Sequence, residues 1–207
     1  MKYKLSLFLL SAALLTGCAD TASQNLSSES TSTVTASSET SDANIEINTT
    51  SETTAAEDPD AYVLTFQATT VDGAEMTSEI FAESKLTMIN VWATYCNPCL
   101  SEMPDLGEIA NEYDPATFQM IGIISDVAEN DTISNINTAK TLIEETKADY
   151  PHLLLNQSLY SNLVGAVSGV PTTFFFNQKS ELLGYLVGAQ SKDVWISIIE
   201  DLLSQME

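Results

Sequence analysis

The feature that most limits the possible folds is a pair of cysteines placed where a buried strand gives way to a helix. Residues 85–93 read KLTMINVWA, an apolar and β-rich run that is typical of a central strand buried on both faces. The tetrapeptide Cys-Asn-Pro-Cys follows at 96–99, and a helix is predicted from about 97 to 113. Cysteines three residues apart on a helical turn lie ~5–6 Å apart at Cβ, near the spacing of a disulfide. The placement therefore indicates thiol–disulfide chemistry.

Strands and helices alternate along the chain from about residue 61 to the end. The predicted strands are a hairpin of 62–70 and 74–81 around Asp72-Gly73, single strands at 118–126 and 152–155, and a second hairpin at 172–177 and 182–187. Helices are predicted at 131–148 and 159–166. A last helix is capped by Ser191 and buries one face formed by Val194, Trp195, Ile198, Ile199 and Leu202. This order predicts an α/β fold with a mixed central sheet flanked by helices.

The position of Cys96 favours its reactivity, because unpaired N–H groups and the helix dipole stabilise a thiolate at a helix N-terminus. A structural zinc site is a weak alternative, since it needs four ligands and only Cys96, Cys99 and His152 remain once Cys18 is set aside. A purely structural disulfide would stabilise little across so short a loop. His152 follows Pro151 at a strand start and is predicted to be a surface residue. We expect no metal.

Two motifs resemble the TlpA/ResA family of extracytoplasmic thioredoxins. Residues 92–99 read WATYCNPC and are followed by Glu-Met-Pro at 102–104, where the family usually has WxxWCxPC, a basic residue and E-x-P. The run Gly-Val-Pro-Thr-Thr-Phe at 169–174 resembles the family's cis-proline loop, which lies beside the cysteines. The resemblance extends from about residue 60 to the end. It implies a thioredoxin-like fold with an N-terminal β-hairpin and an inserted helix and strand at about 127–156.

The resemblance implies roles for individual residues. Cys96 would be the attacking thiolate and Cys99 the resolving thiol of a redox-active disulfide that needs no bound cofactor. Trp92 would cover the disulfide. Glu102, one helical turn beyond Cys99, would tune the pKa of that thiol or relay its proton, and its alternative role is that of a solvated acid on the helix face.

The resemblance also implies a client-binding loop, although the chain departs from the family's usual residues at three positions. A cis bond before Pro171 would leave the Val170 backbone free to pair with an extended substrate segment. Asn90 stands where thioredoxin has a buried acid, so Glu102 is the remaining candidate for proton relay. Leu100 replaces the usual basic residue, and Tyr95 replaces a tryptophan.

The first eighteen residues have the pattern of an export signal. Lys2 and Lys4 precede an apolar stretch at 5–15, which is shorter than the ~20 residues that span a bilayer but suits a signal peptide. Leu-Thr-Gly-Cys at 15–18 resembles the bacterial lipobox, in which the peptide is cut before the cysteine and that cysteine carries lipid. An ordinary signal peptide with an incidental Cys18 is the alternative.

The chain thus divides into three predicted parts. Residues 1–17 are the lipoprotein signal peptide, and residues 18–60 carry the lipidated cysteine and a tether. The tether is rich in Ser, Thr and acidic residues and has no aromatic residue, so it cannot bury enough apolar surface to offset the entropy of ordering. Residues 61–207 form the thioredoxin-like domain. We expect the protein on the extracytoplasmic face of the cell membrane, attached by its lipid.

The charge of the chain argues against nucleic-acid partners. Twenty-nine acidic residues, seven lysines and no arginine give a formal net charge of -22. Such a chain is repelled by phosphate backbones and lacks the side chain that binds phosphate in a bidentate manner.

The favoured function is reduction of client disulfides. The resemblance implies clients with disulfides or oxidised thiols, such as apocytochrome c or a methionine sulfoxide reductase, and a CcdA/DsbD-type membrane protein as electron donor.

Three other functions are alternatives to reduction. A disulfide-introducing oxidase would need a destabilised disulfide, whereas Val170 and the proline inside the CxPC motif favour reduction. A peroxiredoxin mechanism requires a Thr three residues before the peroxidatic cysteine and a partner arginine. In this chain Ala93 stands three residues before Cys96, and there is no arginine. A non-enzymatic binding lipoprotein on a redoxin scaffold is disfavoured by the intact CxxC at the helix start.

Overall fold

The computed structural model describes residues 61–206. The signal peptide at 1–17, the lipidated Cys18 and the tether at 18–60 lie outside these residues and stay predictions. Among the residues described, no helix is both long enough and apolar enough to cross a membrane.

The described chain alternates strands and helices in the predicted order. The elements are β1 (Gln67–Thr69), β2 (Glu75–Thr77), β3 (Leu86–Trp92), α1 (Asn97–Glu112), β4 (Phe118–Ala128), α2 (Ile133–Thr146), β5 (His152–Leu155), α3 (Gln157–Asn162), β6 (Thr172–Asn177), β7 (Leu182–Val187) and α4 (Lys192–Ser204), with short 3-10 helices at Ser78–Glu83 and Val164–Ala166.

Five strands form one mixed sheet in the order β5-β4-β3-β6-β7, and β1 pairs with β2 in a separate hairpin. β3, β4 and β5 run parallel, whereas β6 and β7 are antiparallel to their neighbours. All seven residues of β3 are buried, as expected for a central strand covered on both faces. The predicted mixed α/β sheet is confirmed.

The two faces of the sheet bury separate apolar clusters because successive side chains of a strand point to opposite sides. Met88 and Trp92 face the cluster that also contains both cysteines and the buried residues of α1 and α4. Ile89 and Val91 face the second cluster, in which Phe81 packs against other aromatic rings. The motif cysteines therefore lie on the α1 and α4 side of the sheet.

The predicted N-terminal hairpin is too long in both strands. The backbone N–H of Leu64 donates to the Ser180 carbonyl, so this part of the chain lies against the β6–β7 turn and leaves only three residues in β1. The returning strand ends at Thr77, whose hydroxyl accepts a hydrogen bond from the Glu79 N–H and caps a 3-10 helix. That helix carries Phe81 into the core, at 0% exposure.

Two predicted helix boundaries also need correction. The helix predicted at 159–166 is α3 followed by a 3-10 helix, and α3 starts earlier because the Asn156 side chain accepts from the Leu159 N–H. Ser191 does precede α4, but its side chain makes no capping hydrogen bond. Val194 on that helix is 38% exposed and does not join the buried face.

Candidate redox site

The two cysteines of the motif form a disulfide at the start of α1. The sulfur atoms are 2.03 Å apart and the Cα atoms 5.3 Å apart. Cys96 is the N-cap residue of α1, and the Cys99 backbone N–H donates to its Sγ at 3.2 Å. Cys96 retains 6% of its surface exposed and Cys99 none. Cys96 is therefore the more accessible residue of the pair, and its sulfur lies where helix N–H groups stabilise negative charge.

The loop that leads into the disulfide is held by a carboxylate from the neighbouring strand. Asp126, near the end of β4, accepts the Thr94 N–H at 3.0 and 3.1 Å, and the Thr94 hydroxyl also donates to it. The Cys96 N–H then donates to the Ala93 carbonyl at 3.0 Å. Sequence reasoning missed Asp126. Its position near the carboxyl end of a parallel strand beside β3 was the available signal.

The loop before β6 lies against the Cys96 sulfur. The Val170–Pro171 peptide bond is cis, as the resemblance implies. The Val170 carbonyl oxygen is 3.6 Å from the Cys96 Sγ. The Thr172 hydroxyl donates to the Gly169 carbonyl at 2.7 Å, and the Pro171 carbonyl accepts the Gly188 N–H at 2.8 Å. These bonds fix a backbone edge beside Cys96.

Glu102 lies on the buried face of α1 and is 3% exposed. The alternative of a solvated acid on the helix face is therefore wrong. Its carboxylate accepts the Asn90 side-chain N–H at 3.1 Å and the Gln190 backbone N–H at 3.1 Å. Burial raises the pKa of Glu102 from 4.5 to about 7, although the hydrogen bonds from Gln190 and Asn90 partly oppose that rise. The same Asn90 amide donates to the Thr173 hydroxyl at 3.0 Å. Glu102 can therefore hold or release a proton near neutral pH.

The prediction that His152 is a surface residue is wrong, since 2% of it is exposed. Its Nδ1 accepts the Trp92 indole N–H at 3.1 Å, and its Nε2 lies 3.0 Å from the Ala148 carbonyl. Burial lowers the pKa of His152 to about 4, against the opposing effects of the Ala148 carbonyl and the Asp72 carboxylate. The imidazole is neutral at physiological pH.

The structure brings the predicted site residues into one region. Cys96, Cys99 and Val170 are adjacent at the start of α1, Trp92 shares their apolar cluster and Glu102 is on the same helix. Across residues 61–206, no group of three or more His, Cys, Asp and Glu side chains is arranged to hold a metal ion. The described site presents two sulfur atoms and one buried carboxyl group.

The fold and the cysteine pair at the helix start define a thioredoxin-like protein. The chain belongs to the AhpC/TSA family, whose model matches residues 59–183. It is similar to the thiol-disulfide oxidoreductase ResA of Oceanobacillus iheyensis, with 25% identity over 123 residues that cover 59% of this chain and 60% of the relative. It is also similar to the thiol:disulfide interchange protein HelX of Rhodobacter capsulatus, with 26% identity over 63% of this chain and 68% of that protein. The predicted resemblance to ResA-type proteins is confirmed.

Solved structures show the same fold. A thioredoxin-family thiol:disulfide interchange protein from Chlorobium tepidum superposes with a TM-score of 0.56 at 24% identity, covering 69% of this chain and 96% of that one. The exposed lipoprotein thioredoxin of Streptococcus pneumoniae gives a TM-score of 0.54 at 21% identity, covering 66% and 98%.

Proposed function

We propose that the protein is a thiol–disulfide oxidoreductase that reduces disulfides in client proteins through Cys96 and Cys99. The observation that carries this proposal is the asymmetry of the pair. Cys96 caps a helix, is the more exposed sulfur and lies 3.6 Å from the Val170 carbonyl, whereas Cys99 is fully buried. One sulfur is placed to meet a partner and the other to act only within the site.

The reaction takes two exchange steps. In the reduced protein the Cys96 thiolate attacks one sulfur of a client disulfide, the client S–S bond breaks, and the departing client sulfur takes a proton. Cys96 and the client are then joined by a mixed disulfide. Cys99 loses its proton and attacks the Cys96 Sγ, which breaks the mixed disulfide and releases the second client sulfur as a thiolate that takes a proton from solvent. The client gains two electrons and two protons, and the protein ends with the Cys96–Cys99 disulfide.

Glu102 is the candidate acceptor for the Cys99 proton. It follows Cys99 by three residues on α1, so the two side chains lie on the same helix face. Its pKa of about 7 places the carboxyl near the pH at which it can exchange protons. The Asn90 amide and the Gln190 N–H orient the carboxylate that would receive the proton.

The Val170 loop is the proposed docking edge for the client. An extended client segment beside its disulfide would pair with the Val170 backbone while its sulfur meets Cys96. Twenty acidic residues against five lysines from residue 61 onward favour clients with neutral or basic surfaces around the disulfide.

We propose that this reaction takes place outside the cytoplasm, with the lipid on Cys18 holding the protein at the membrane. A tether of about 42 residues spans on the order of 35–40 Å as a random coil, so membrane-bound and nearby exported clients are within reach. Such clients include apocytochrome c or a methionine sulfoxide reductase. A CcdA/DsbD-type membrane protein would supply the two electrons that restore the dithiol.

The test is reduction of insulin disulfides by the full chain with dithiothreitol as reductant, in detergent. Cys96→Ser should abolish catalysis, because no thiolate remains at the reachable position. Cys99→Ser should still attack clients but should accumulate the mixed disulfide, which mass spectrometry identifies after isolation without reductant. Cys18→Ser serves as the control that leaves both motif cysteines intact and should retain the rate. Catalysis that persists in Cys96→Ser would contradict the assignment, and absence of any trapped client from cells would favour the non-enzymatic alternative.

A further inference from the structure

The Trp92 side chain depends on one hydrogen bond for its orientation. Its indole is fully buried in the apolar cluster that contains Cys96 and Cys99. The indole N–H donates to the His152 Nδ1 at 3.1 Å, and the two rings meet edge to face at 82°, with centroids 5.6 Å apart. The imidazole thus fixes a side chain that packs in the same cluster as the disulfide.

The imidazole is itself held from its other edge. The His152 Nε2 lies 3.0 Å from the Ala148 carbonyl, and the Tyr150 ring stacks on the imidazole with centroids 4.4 Å apart. A carbonyl can only accept and an indole N–H can only donate. Only the neutral imidazole with its proton on Nε2 satisfies both partners, so the contacts select one tautomer.

A glycine on the intervening strand makes room for this arrangement. Gly122 on β4 is in register with Asn90 on β3 and with His152 on β5. A Cβ atom at position 122 would lie 2.1 Å from the His152 Nδ1, a distance that no packing tolerates. The imidazole therefore occupies the space that a side chain on β4 would fill.

We propose that His152 is a positioning residue for the redox reaction, because its Nδ1, in the space left by Gly122, orients the Trp92 indole within the apolar cluster that contains the Cys96–Cys99 pair. This inference rests on the proposed function. A misplacement of about 1 Å near a reacting centre can cost up to ~100-fold in rate, so release of the indole should slow client reduction measurably.

The proposed role does not depend on titration of the imidazole. The Asp72 carboxylate in the β1–β2 turn opposes the lowering of the His152 pKa, and the Tyr150 ring that packs on the imidazole carries a phenol whose own pKa burial raises. Because the pKa of His152 is about 4, the imidazole stays neutral from pH 6 to 9. The effect of removing it should therefore be the same across that range.

The test compares two amides at position 152 in the full chain. His152→Asn places an amide oxygen near the position of Nδ1, whereas His152→Gln places it near Nε2, beyond the reach of Trp92. Both variants bury one amide and each loses one of the two imidazole partners, so the free energy of unfolding of each is measured beside its rate. We expect insulin reduction within about twofold of wild type for Asn and roughly tenfold slower for Gln at every pH from 6 to 9.

The indole ¹H–¹⁵N resonances supply a readout that a general loss of stability would not produce. The chain has two tryptophans, and Trp195 lies on α4, so its indole resonance serves as the comparison signal. His152→Gln should move the Trp92 indole resonance and speed its hydrogen exchange, while His152→Asn and the Trp195 signal stay near wild type. Equal rates for folded Asn and Gln variants would overturn the proposal, and so would an unmoved Trp92 resonance in Gln. If the proposed function itself fails, wild type will reduce insulin no faster than Cys96→Ser, which is a distinct result.

Discussion

Replacing Glu102 by glutamine should change how stability depends on pH. The carboxyl is 3% exposed and accepts hydrogen bonds from Asn90 and Gln190. Glutamine has nearly the same shape and stays neutral at every pH. The oxidised protein is the form to use, because its disulfide removes both motif thiols from the titration.

The sign and size of the effect follow from the raised pKa. The folded chain holds the Glu102 proton up to about pH 7, whereas the unfolded chain releases it near 4.5. The stability contributed by neutral Glu102 is therefore complete below pH 4.5 and is lost as pH rises through 7. A pKa rise from 4.5 to about 7 corresponds to a loss of about 3 kcal/mol between pH 4 and pH 9. His152 also titrates in this range, but the difference between wild type and Glu102→Gln cancels its contribution.

The assay is urea denaturation of both oxidised proteins at several pH values from 4 to 9. The variant should gain stability relative to wild type as pH rises, by about 3 kcal/mol over the range. Glu108→Gln is the matched control on the same helix. Its carboxylate is exposed and bonded to Lys192, which lowers its pKa below 4.5, so it should leave the profile from pH 5 to 9 unchanged. Parallel curves for wild type and Glu102→Gln would show that the folded protein does not perturb this carboxyl.

Two further outcomes are expected. The reduction potential, measured by equilibration with glutathione, should lie below about −180 mV because Leu100 provides no positive charge to stabilise the Cys96 thiolate, and a value near about −120 mV would indicate an oxidase. Gly107→Ala should lower the free energy of unfolding by about 1–3 kcal/mol, because a Cβ at position 107 would lie 2.2 Å from the Lys147 carbonyl oxygen. Urea denaturation measures this, and an unchanged denaturation midpoint would mean that α1 and α2 can move apart without a loss of stability.

The parts of the fold that were predictable are those in which the signal is local. The run at 85–93 is apolar on both faces, and β3 is found at Leu86–Trp92 in the centre of the sheet. The cysteines are three residues apart, so a helical turn alone brings them together. The predicted strand at 62–70 failed because a backbone bond from Leu64 to the distant Ser180 decides where the chain pairs.

The burial of Glu102 could not be predicted because its partners are distant in the chain. Its hydrogen bonds come from residues 12 and 88 positions away, on a strand and in the loop before α4. Before the fold is known, the spacing of acids along α1 is equally compatible with a solvated face. The same holds for His152, since its burial requires a glycine at the matching register on another strand.

Burial shifts the pKa values of Glu102 and His152 in opposite directions, and under the proposed role of Glu102 as proton acceptor the second exchange step should depend on pH. His152 is neutral above about pH 4 and Glu102 is neutral below about pH 7, so between these values both are uncharged. A neutral Glu102 cannot accept the Cys99 proton. Under the proposed role of Glu102, the second exchange step should therefore become faster as pH rises through about 7, where the carboxyl ionises and can accept that proton. Because Asn90 cannot ionise, the proposed proton step would depend on Glu102 more strongly than in a chain with an acid at position 90.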